Sequence, residues 1–156
     1  MDKQKIETYQ LFNNSENLLA FSTTRSTFSE NDLPRFTGEP ADEVKQNRAQ
    51  LASVLEIQPE QLVFPRQTHT NFVVDLDGIP ENEISETDAL VTHTPGICLC
   101  VQTADCVPVL LFDPVNRVVA AVHAGWRGTV KRIAEAAVVK MQQKYHSEPQ
   151  NILAAI

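Results

Sequence analysis

Two short apolar runs in the second half of the chain stand out in its pattern of hydrophobic and polar positions. Residues 107–112 read VPVLLF and residues 118–122 read VVAAV, with the polar segment 113–117, DPVNR, between them. Runs this short and this rich in Val and Leu are typical of strands buried on both faces. Asp before Pro, followed by Asn, favours a tight turn. The pattern therefore predicts a β-hairpin.

This hairpin has a reactive side chain next to each strand, at the same edge. Cys106 directly precedes the first run and His123 directly follows the second. Because the two strands of a hairpin are antiparallel, the start of the first lies beside the end of the second. We therefore expect the thiol and the imidazole to meet at one edge of a buried sheet, which indicates a functional site.

The rest of the pattern predicts two helices and several short strands. One helix covers residues 41–56, after Pro40 and with acidic residues in its first turn, and the other covers residues 129–145 with a continuous apolar stripe. Further strands are predicted at residues 18–23, 62–64, 72–74, 87–92, 97–101 and 151–156, with a long polar loop over 24–40. Because the last strand has no exit turn, we expect a chain truncated at its C-terminus.

Composition narrows the class of protein. The chain has 156 residues, 42% apolar and 21% charged, which is enough for a single domain over residues 1–156 with a buried core. The formal net charge of −7 argues against nucleic-acid binding. No apolar run approaches the ~20 residues of a membrane-spanning helix. The absence of a signal-like N-terminus and of a CxxC pair among the three cysteines predicts a cytoplasmic protein.

Arg48 is a candidate anion ligand on the first predicted helix. At about 100° per residue it lies about 40° from Val44, on the face that also carries Leu51 and Leu55. An unpaired guanidinium on a buried apolar face is costly, so it needs a partner. A salt bridge to a core carboxylate and a clamp on a substrate phosphate are both open.

The cysteines and His69 have structural as well as functional interpretations. His69 lies at a break between two predicted strands, where a lone histidine is more often structural. Cys98 and Cys100 share one strand face and fit small apolar residues of a core. Cys106 lies instead in a polar turn beside Asp105, a position that core packing does not explain.

The segment after His123 combines glycines with a cation. Gly125 and Gly128 allow either a tight strand-to-helix turn or a close approach to a ligand. The N–H groups at the start of the predicted helix, next to Arg127, indicate an anion site.

Several of these segments together resemble the laccase-domain family, whose members were first described as multicopper polyphenol oxidases and later as purine nucleoside phosphorylases. The matching segments are RQTH at 66–69, TDAL at 87–90, TADCVP at 103–108 and HAGWRGT at 123–129, with TTR at 23–25 and NR at 47–48. The resemblance covers nearly the whole chain. It implies an α/β fold with mixed β-sheets in the core and helices packed outside.

The resemblance also implies a zinc ion held by His69, Cys106 and His123. Two imidazoles and a thiolate suit zinc, and three protein ligands leave a fourth position open, as in catalytic sites. The implied activities are phosphorolysis of adenosine, inosine or guanosine, with S-methyl-5'-thioadenosine as a further candidate substrate, and deamination of adenosine. The three metal ligands are the expected catalytic residues, and the candidate substrate-binding residues are Arg48, Gln67, Asp105 and Arg127.

Other interpretations are open. A copper-dependent polyphenol oxidase (laccase) is disfavoured because a multicopper centre needs many more histidines than the four present. A cysteine hydrolase acting in cell-wall peptidoglycan editing would use Cys106 as nucleophile and His123 as base, with Asp105 or Asp88 as orienting group. A non-enzymatic chain would bind only a metal or a partner. If the chain is a nucleoside phosphorylase and deaminase, Asp105 either shuttles protons or orients its neighbours.

Overall fold

The computed structural model describes residues 6–12, 15, 17–24 and 34–156. The chain divides into two compact units, Met1–Leu62 and Val63–Ile156. Arg25 and most of the predicted polar loop lie outside the described residues. The prediction that residues 1–156 form a single domain stays a prediction.

Within its described residues, the first unit has one strand pair and one α-helix. Strands β1 (Glu7–Thr8) and β2 (Phe21–Ser22) are antiparallel, and β2 is shorter than the strand predicted there. The predicted helix is confirmed as α1 (Ala41–Leu55), with two acidic residues in its first turn that interact favourably with the helix dipole. It ends at Glu56, whose left-handed backbone directs its N–H back to the last helical carbonyls.

The second unit is built on a five-stranded sheet. The strands of this sheet are β4 (Val73–Leu76), β5 (Ala89–Thr92), β7 (Val107–Asp113), β8 (Val118–Ala124) and β9 (Leu153–Ala155). They follow the spatial order β4-β5-β8-β7-β9, and only the β4–β5 pair is parallel, so the predicted mixed α/β fold is confirmed. Strands β3 (Leu62–Val63) and β6 (Cys98–Leu99) form a separate two-stranded ladder.

The predicted hairpin is confirmed by β7 and β8. Their antiparallel register places Pro108 opposite His123 and Val107 opposite Ala124. Since Cys106 directly precedes β7, the thiol and the imidazole lie at the same edge of the sheet. Four of the six apolar residues of β8 are buried, and they lie on both faces of the strand, which agrees with a strand covered on both faces.

The prediction of one helix over residues 129–145 is wrong in its start and its continuity. The structure has α2 (Trp126–Val130) followed by α3 (Ile133–Tyr145). Arg132 separates them with a φ of 63°, a left-handed conformation that a right-handed helix cannot continue through. Helix α3 packs its buried residues Ile133, Ala137 and Met141 against β5 and β8.

Strand β9 is an edge strand. The strand predicted over residues 151–156 is present as Leu153–Ala155, which pairs antiparallel with β7. Burial of this segment is incomplete, since Ala154 and Ile156 are exposed. None of the helices in the described ranges has the length and apolar character needed to cross a membrane. The cytoplasmic location stays a prediction.

Candidate metal centre

Three side chains converge where β8 ends and β7 begins. The ligand atoms of His69, Cys106 and His123 all lie within 4.8 Å of one another. Cys106 Sγ is 3.8 Å from His69 Nε2, and the two imidazole rings are close to perpendicular with centroids 4.9 Å apart. The structure thus brings together the three predicted ligands, and their catalytic roles stay predictions.

Different elements hold the three side chains. His123 lies within β8 and is only 3% exposed. Cys106 is half-buried at the residue before β7, and His69 is exposed on the loop between β3 and β4. The hairpin therefore fixes two of the three side chains, while the third depends on how its loop is held.

Asp88, the residue before β5, orients the His123 ring. Its carboxylate Oδ1 is 2.7 Å from His123 Nδ1, and its backbone carbonyl accepts a hydrogen bond from the His123 N–H, also at 2.7 Å. Because Nδ1 donates to a carboxylate, the lone pair of this imidazole is on Nε2. The second nitrogen of His123 is thereby available for a metal ion.

The same carboxylate holds the loop that carries His69. Its oxygens accept hydrogen bonds from three consecutive backbone N–H groups, those of Thr68 (3.2 Å), His69 (3.0 Å) and Thr70 (2.8 Å), and from the Thr70 hydroxyl at 2.8 Å. His69 has a φ of 60°, a left-handed conformation that costs a non-glycine residue about 1–3 kcal/mol. The hydrogen bonds to Asp88 stabilise this conformation.

The ionisation of Asp88 follows from these contacts. The carboxylate is 0% exposed. Burial raises its pKa, but the hydrogen bonds from His123, Thr70 and Thr68 lower it by more, so that the pKa lies below its ordinary value. Asp88 is therefore a buried anion at neutral pH, satisfied by donors from two separate segments.

Gly125, at the junction of β8 and α2, gives the site its close packing. A Cβ atom added there would lie 2.7 Å from His69 Cδ2 and 3.2 Å from Cys106 Sγ. Any larger residue would push against two of the three side chains. Of the two interpretations of this glycine, the structure supports close approach, here to side chains of the site itself.

Gln67 joins the segments that lead to His69 and to Cys106. Its side-chain amide donates to the Gln102 carbonyl and accepts from the Gln102 N–H, both at 2.8 Å. This reciprocal pair occupies both ends of the amide. The predicted substrate-binding role of Gln67 stays a prediction, and the observed contacts give it a positioning role.

Asp105 and Arg127 are both exposed, and their roles in substrate binding stay predictions. Asp105 Oδ1 is 3.7 Å from Cys106 Sγ. Burial raises the pKa of the Cys106 thiol, and the negative charges of Asp105 and Asp88 raise it further, so without a cation nearby the thiol is neutral. The Arg127 guanidinium lies 5.3 Å from the ring centre of Trp126, which is 70% exposed.

Arg48 belongs to the first unit. Its side chain is half-buried on α1, and its Nε donates to the Phe36 carbonyl at 2.7 Å. The sequence predicts that this guanidinium needs a polar partner, and the Phe36 carbonyl is one such partner. Its role as a phosphate ligand stays a prediction.

The residues of the cluster fit a metal ion. Ligands about 2.0–2.3 Å from a tetrahedral ion lie about 3.3–3.7 Å apart, close to the 3.8 Å that separates Cys106 Sγ from His69 Nε2. Two imidazole nitrogens and one sulfur supply three ligands and leave a position open for a further ligand. The cluster could therefore hold a metal ion.

Sequence reasoning gave too little weight to Asp88. It appeared only as an alternative orienting group for a cysteine nucleophile, whereas the structure connects it to both histidines. A signal was present in the segment TDALVT, where an acidic residue stands directly before a strand whose residues are all buried. A carboxylate at such a position needs several donors.

Comparison with known proteins agrees with the fold. The sequence profile described as multi-copper polyphenol oxidoreductase laccase matches residues 20–156. A purine nucleoside phosphorylase from Bacteroides thetaiotaomicron is 33% identical over an alignment of 162 positions, and the alignment covers 95% of this chain and 60% of that protein. Adenosine deaminase RL5, from an unknown prokaryotic organism, is 40% identical over an alignment of 151 positions, and the alignment covers 88% of this chain and 58% of that protein.

A solved structure is also similar. The hypothetical protein YfiH of Bacillus licheniformis superposes with a TM-score of 0.75 at 33% identity, over 87% of this chain and 56% of that one. The chain thus spans 60% or less of the length of these relatives. The profile match over residues 20–156 shows that the chain belongs to the multi-copper polyphenol oxidoreductase laccase family.

Proposed function

We propose that this chain carries the zinc site of a purine nucleoside phosphorylase that also deaminates adenosine. The observation that supports the proposal is the convergence of two imidazoles and one thiol within 4.8 Å, with one imidazole oriented by a buried carboxylate. The reaction comes from relatives that are named purine nucleoside phosphorylase and adenosine deaminase. Purine nucleosides and phosphate are the proposed substrates.

Zinc suits this set of ligands better than a multicopper centre. Three protein ligands that are His or Cys, with a fourth position open, are typical of catalytic zinc. The other two histidines are placed elsewhere, since the His93 ring packs on Tyr145 with centroids 4.9 Å apart and His146 follows the end of α3. A cluster with three ligand atoms can bind one ion, so copper is the alternative only as a single ion.

Each residue of the site has a proposed task. A bound zinc ion would keep Cys106 deprotonated and act as a Lewis acid toward an oxygen atom. Asp105, 3.7 Å from the sulfur, orients Cys106 on the exposed side. Phosphorolysis also requires an anion site for phosphate beneath the ribose, and Arg48 and Arg127 are the proposed cations.

The cysteine hydrolase is the weaker candidate. The Asp88–His123 pair resembles a base with its orienting group. However, Cys106 contacts His69 and the Asp105 carboxylate, and its pKa is raised by burial and by the negative charge of Asp105. A nucleophilic cysteine needs a lowered pKa, which this environment provides only when a cation is bound.

The function is tested by incubating the purified full chain with inosine and phosphate. We expect about one zinc per chain, and release of hypoxanthine and ribose 1-phosphate that a chelator abolishes and added zinc restores. Adenosine in place of inosine tests deamination. Bound copper would favour the oxidase, and a chain that binds no metal and leaves inosine intact would favour the hydrolase or the non-enzymatic chain.

Arg48 is tested by Arg48→Lys, which keeps the charge but removes the bidentate fork. A phosphate ligand predicts weaker phosphorolysis with unchanged zinc content and nearly unchanged deamination. A purely structural arginine predicts a lower melting temperature and an equal loss of both activities. Measuring both reactions and the melting temperature on one sample distinguishes the two outcomes.

A further inference from the structure

We infer that Asp88 is a positioning residue for both histidines of the cluster, holding the His123 ring and the His69 backbone as one unit. The inference rests on the proposed metal centre and adds to it a residue outside the three ligands. Its consequence is that metal affinity depends on a carboxylate that is not itself a ligand but is hydrogen-bonded to two residues that are.

The first step is that the two oxygens of the Asp88 carboxylate accept hydrogen bonds from different donors. Oδ1 accepts from His123 Nδ1 and from the His69 N–H. Oδ2 accepts from the N–H groups of Thr68 and Thr70 and from the Thr70 hydroxyl. Every partner of the side chain is a donor, so both oxygens must be acceptors.

The second step is that an amide of the same shape cannot replace the carboxylate. If the oxygen of an Asn faces His123, its NH₂ group faces the N–H groups of Thr68 and Thr70, and the loop keeps only the hydrogen bond from the His69 N–H. If the amide is reversed, its NH₂ group faces His123 Nδ1 and favours the tautomer with the proton on Nε2, so that Nε2 has no lone pair for a metal. Either orientation weakens one of the two histidines.

The third step is that the left-handed backbone of His69 makes the anchor specific. Thr68, His69 and Thr70 direct three successive N–H groups at one carboxylate, and His69 has its φ of 60° within this turn. If these hydrogen bonds are lost, His69 is expected to relax to a negative φ, because the left-handed conformation is unfavourable for a non-glycine residue. The imidazole would then leave the position 3.8 Å from Cys106 Sγ.

The test compares Asp88→Asn with Asp113→Asn in the full chain. Asp113 is the matched control because it is also 0% exposed and also accepts several hydrogen bonds, but from its own turn at the other end of β7, where the Ser147 side chain also lowers its pKa. Zinc affinity is measured by competition with a chromophoric chelator. We expect Asp88→Asn to bind zinc about 10- to 100-fold more weakly than the wild type, and Asp113→Asn to bind within about twofold of it.

A second readout needs no metal. In the apo wild type, nitrogen NMR at alkaline pH is expected to show His123 protonated on Nδ1. In Asp88→Asn either that tautomer changes or the amides of Thr68 and Thr70 lose protection from hydrogen exchange. If Asp88→Asn does not fold, Thr70→Val removes one hydrogen bond to Oδ2, and zinc affinity should fall about 2- to 10-fold.

The outcomes separate this inference from the proposed function. Equal zinc affinity in Asp88→Asn and Asp113→Asn, or an apo wild type with His123 protonated on Nε2, would overturn the positioning role. A wild type that binds no zinc but shows the expected tautomer and its loss in Asp88→Asn would overturn the proposed metal centre and leave the positioning role standing.

Discussion

Two buried aspartates near opposite ends of the β7–β8 hairpin are each stabilised as anions by hydrogen bonds, but the donors come from different parts of the chain. Both Asp88 and Asp113 are 0% exposed. In both, burial raises the carboxyl pKa and hydrogen bonds lower it by more, leaving the pKa below its ordinary value. Asp113 accepts hydrogen bonds within its own turn, from the Val115 N–H and from the backbone and side chain of Asn116, and the Ser147 side chain also lowers its pKa. The donors to Asp88 lie 18 to 35 residues away.

The difference shows how a carboxylate that stabilises a turn differs from one that assembles a site. The backbone donors of Asp113 are two and three residues ahead, so the carboxylate stabilises a turn that its own sequence already favours. The donors of Asp88 come from a loop and a strand that meet only in the folded chain. Removing Asp113 should therefore affect the stability of the fold, and removing Asp88 should affect the metal centre as well.

The largest effect is expected from removing a metal ligand at the site end of the hairpin. Cys106→Ala deletes the only sulfur in the cluster, so zinc affinity should fall by more than about 100-fold, beyond the loss expected for an outer residue. Cys100→Ala is the matched control, because Cys100 lies 3.7 Å from Cys98 and outside the cluster. Chelator competition measures both, and comparable losses in the two variants would exclude Cys106 as the ligand.

The next effect concerns acid stability at the turn end. Because the pKa of Asp113 is lowered in the folded protein, its contribution is present above the unfolded value of 3.8 and is lost as the pH falls through the folded value. Asp113→Asn should lower the free energy of unfolding at pH 7 by about 1–3 kcal/mol. It should also flatten the dependence of that free energy on pH below about pH 5.

Urea unfolding between pH 7 and the acid range measures this prediction, provided that unfolding is two-state. Zinc binding of the same variant serves as the control and should be nearly unchanged. A steep acid dependence that persists in Asp113→Asn would show that this carboxylate does not contribute through its lowered pKa.

A smaller effect is expected from the glycine between β8 and α2. Gly125→Ala places a methyl group 2.7 Å from His69 Cδ2, so the imidazole must shift and zinc affinity should fall about tenfold. Gly78→Ala is the matched control, since a Cβ atom there meets nothing within 4 Å. If the two alanine variants bind zinc equally well, the close packing around His69 is not needed for binding.

Sequence patterns predicted the elements whose causes are local. The hairpin follows from two apolar runs and a DPVNR turn, and α1 follows from its apolar stripe and acidic first turn. The helix over residues 129–145 failed at Arg132, because the apolar stripe continues through the break and gives no warning of a left-handed residue.

The candidate site could be predicted only as far as its motifs extend. The resemblance gave His69, Cys106 and His123, and the structure brings these together. It gave neither the hydrogen bonds of Asp88 to two segments nor the pairing of Gln67 with Gln102 across 35 residues. Such contacts depend on the register of strands and loops that are distant in sequence, which residue spacing does not encode.

The proposed zinc ion is bound by two imidazoles and one thiolate of this chain. X-ray absorption at the zinc edge of the zinc-loaded chain tests this coordination most directly. We expect one sulfur ligand at about 2.3 Å and nitrogen ligands at about 2.0–2.1 Å, with the sulfur signal lost in Cys106→Ala and retained in Cys100→Ala. A first coordination shell without sulfur, or one with two sulfurs that survives Cys106→Ala, would contradict it.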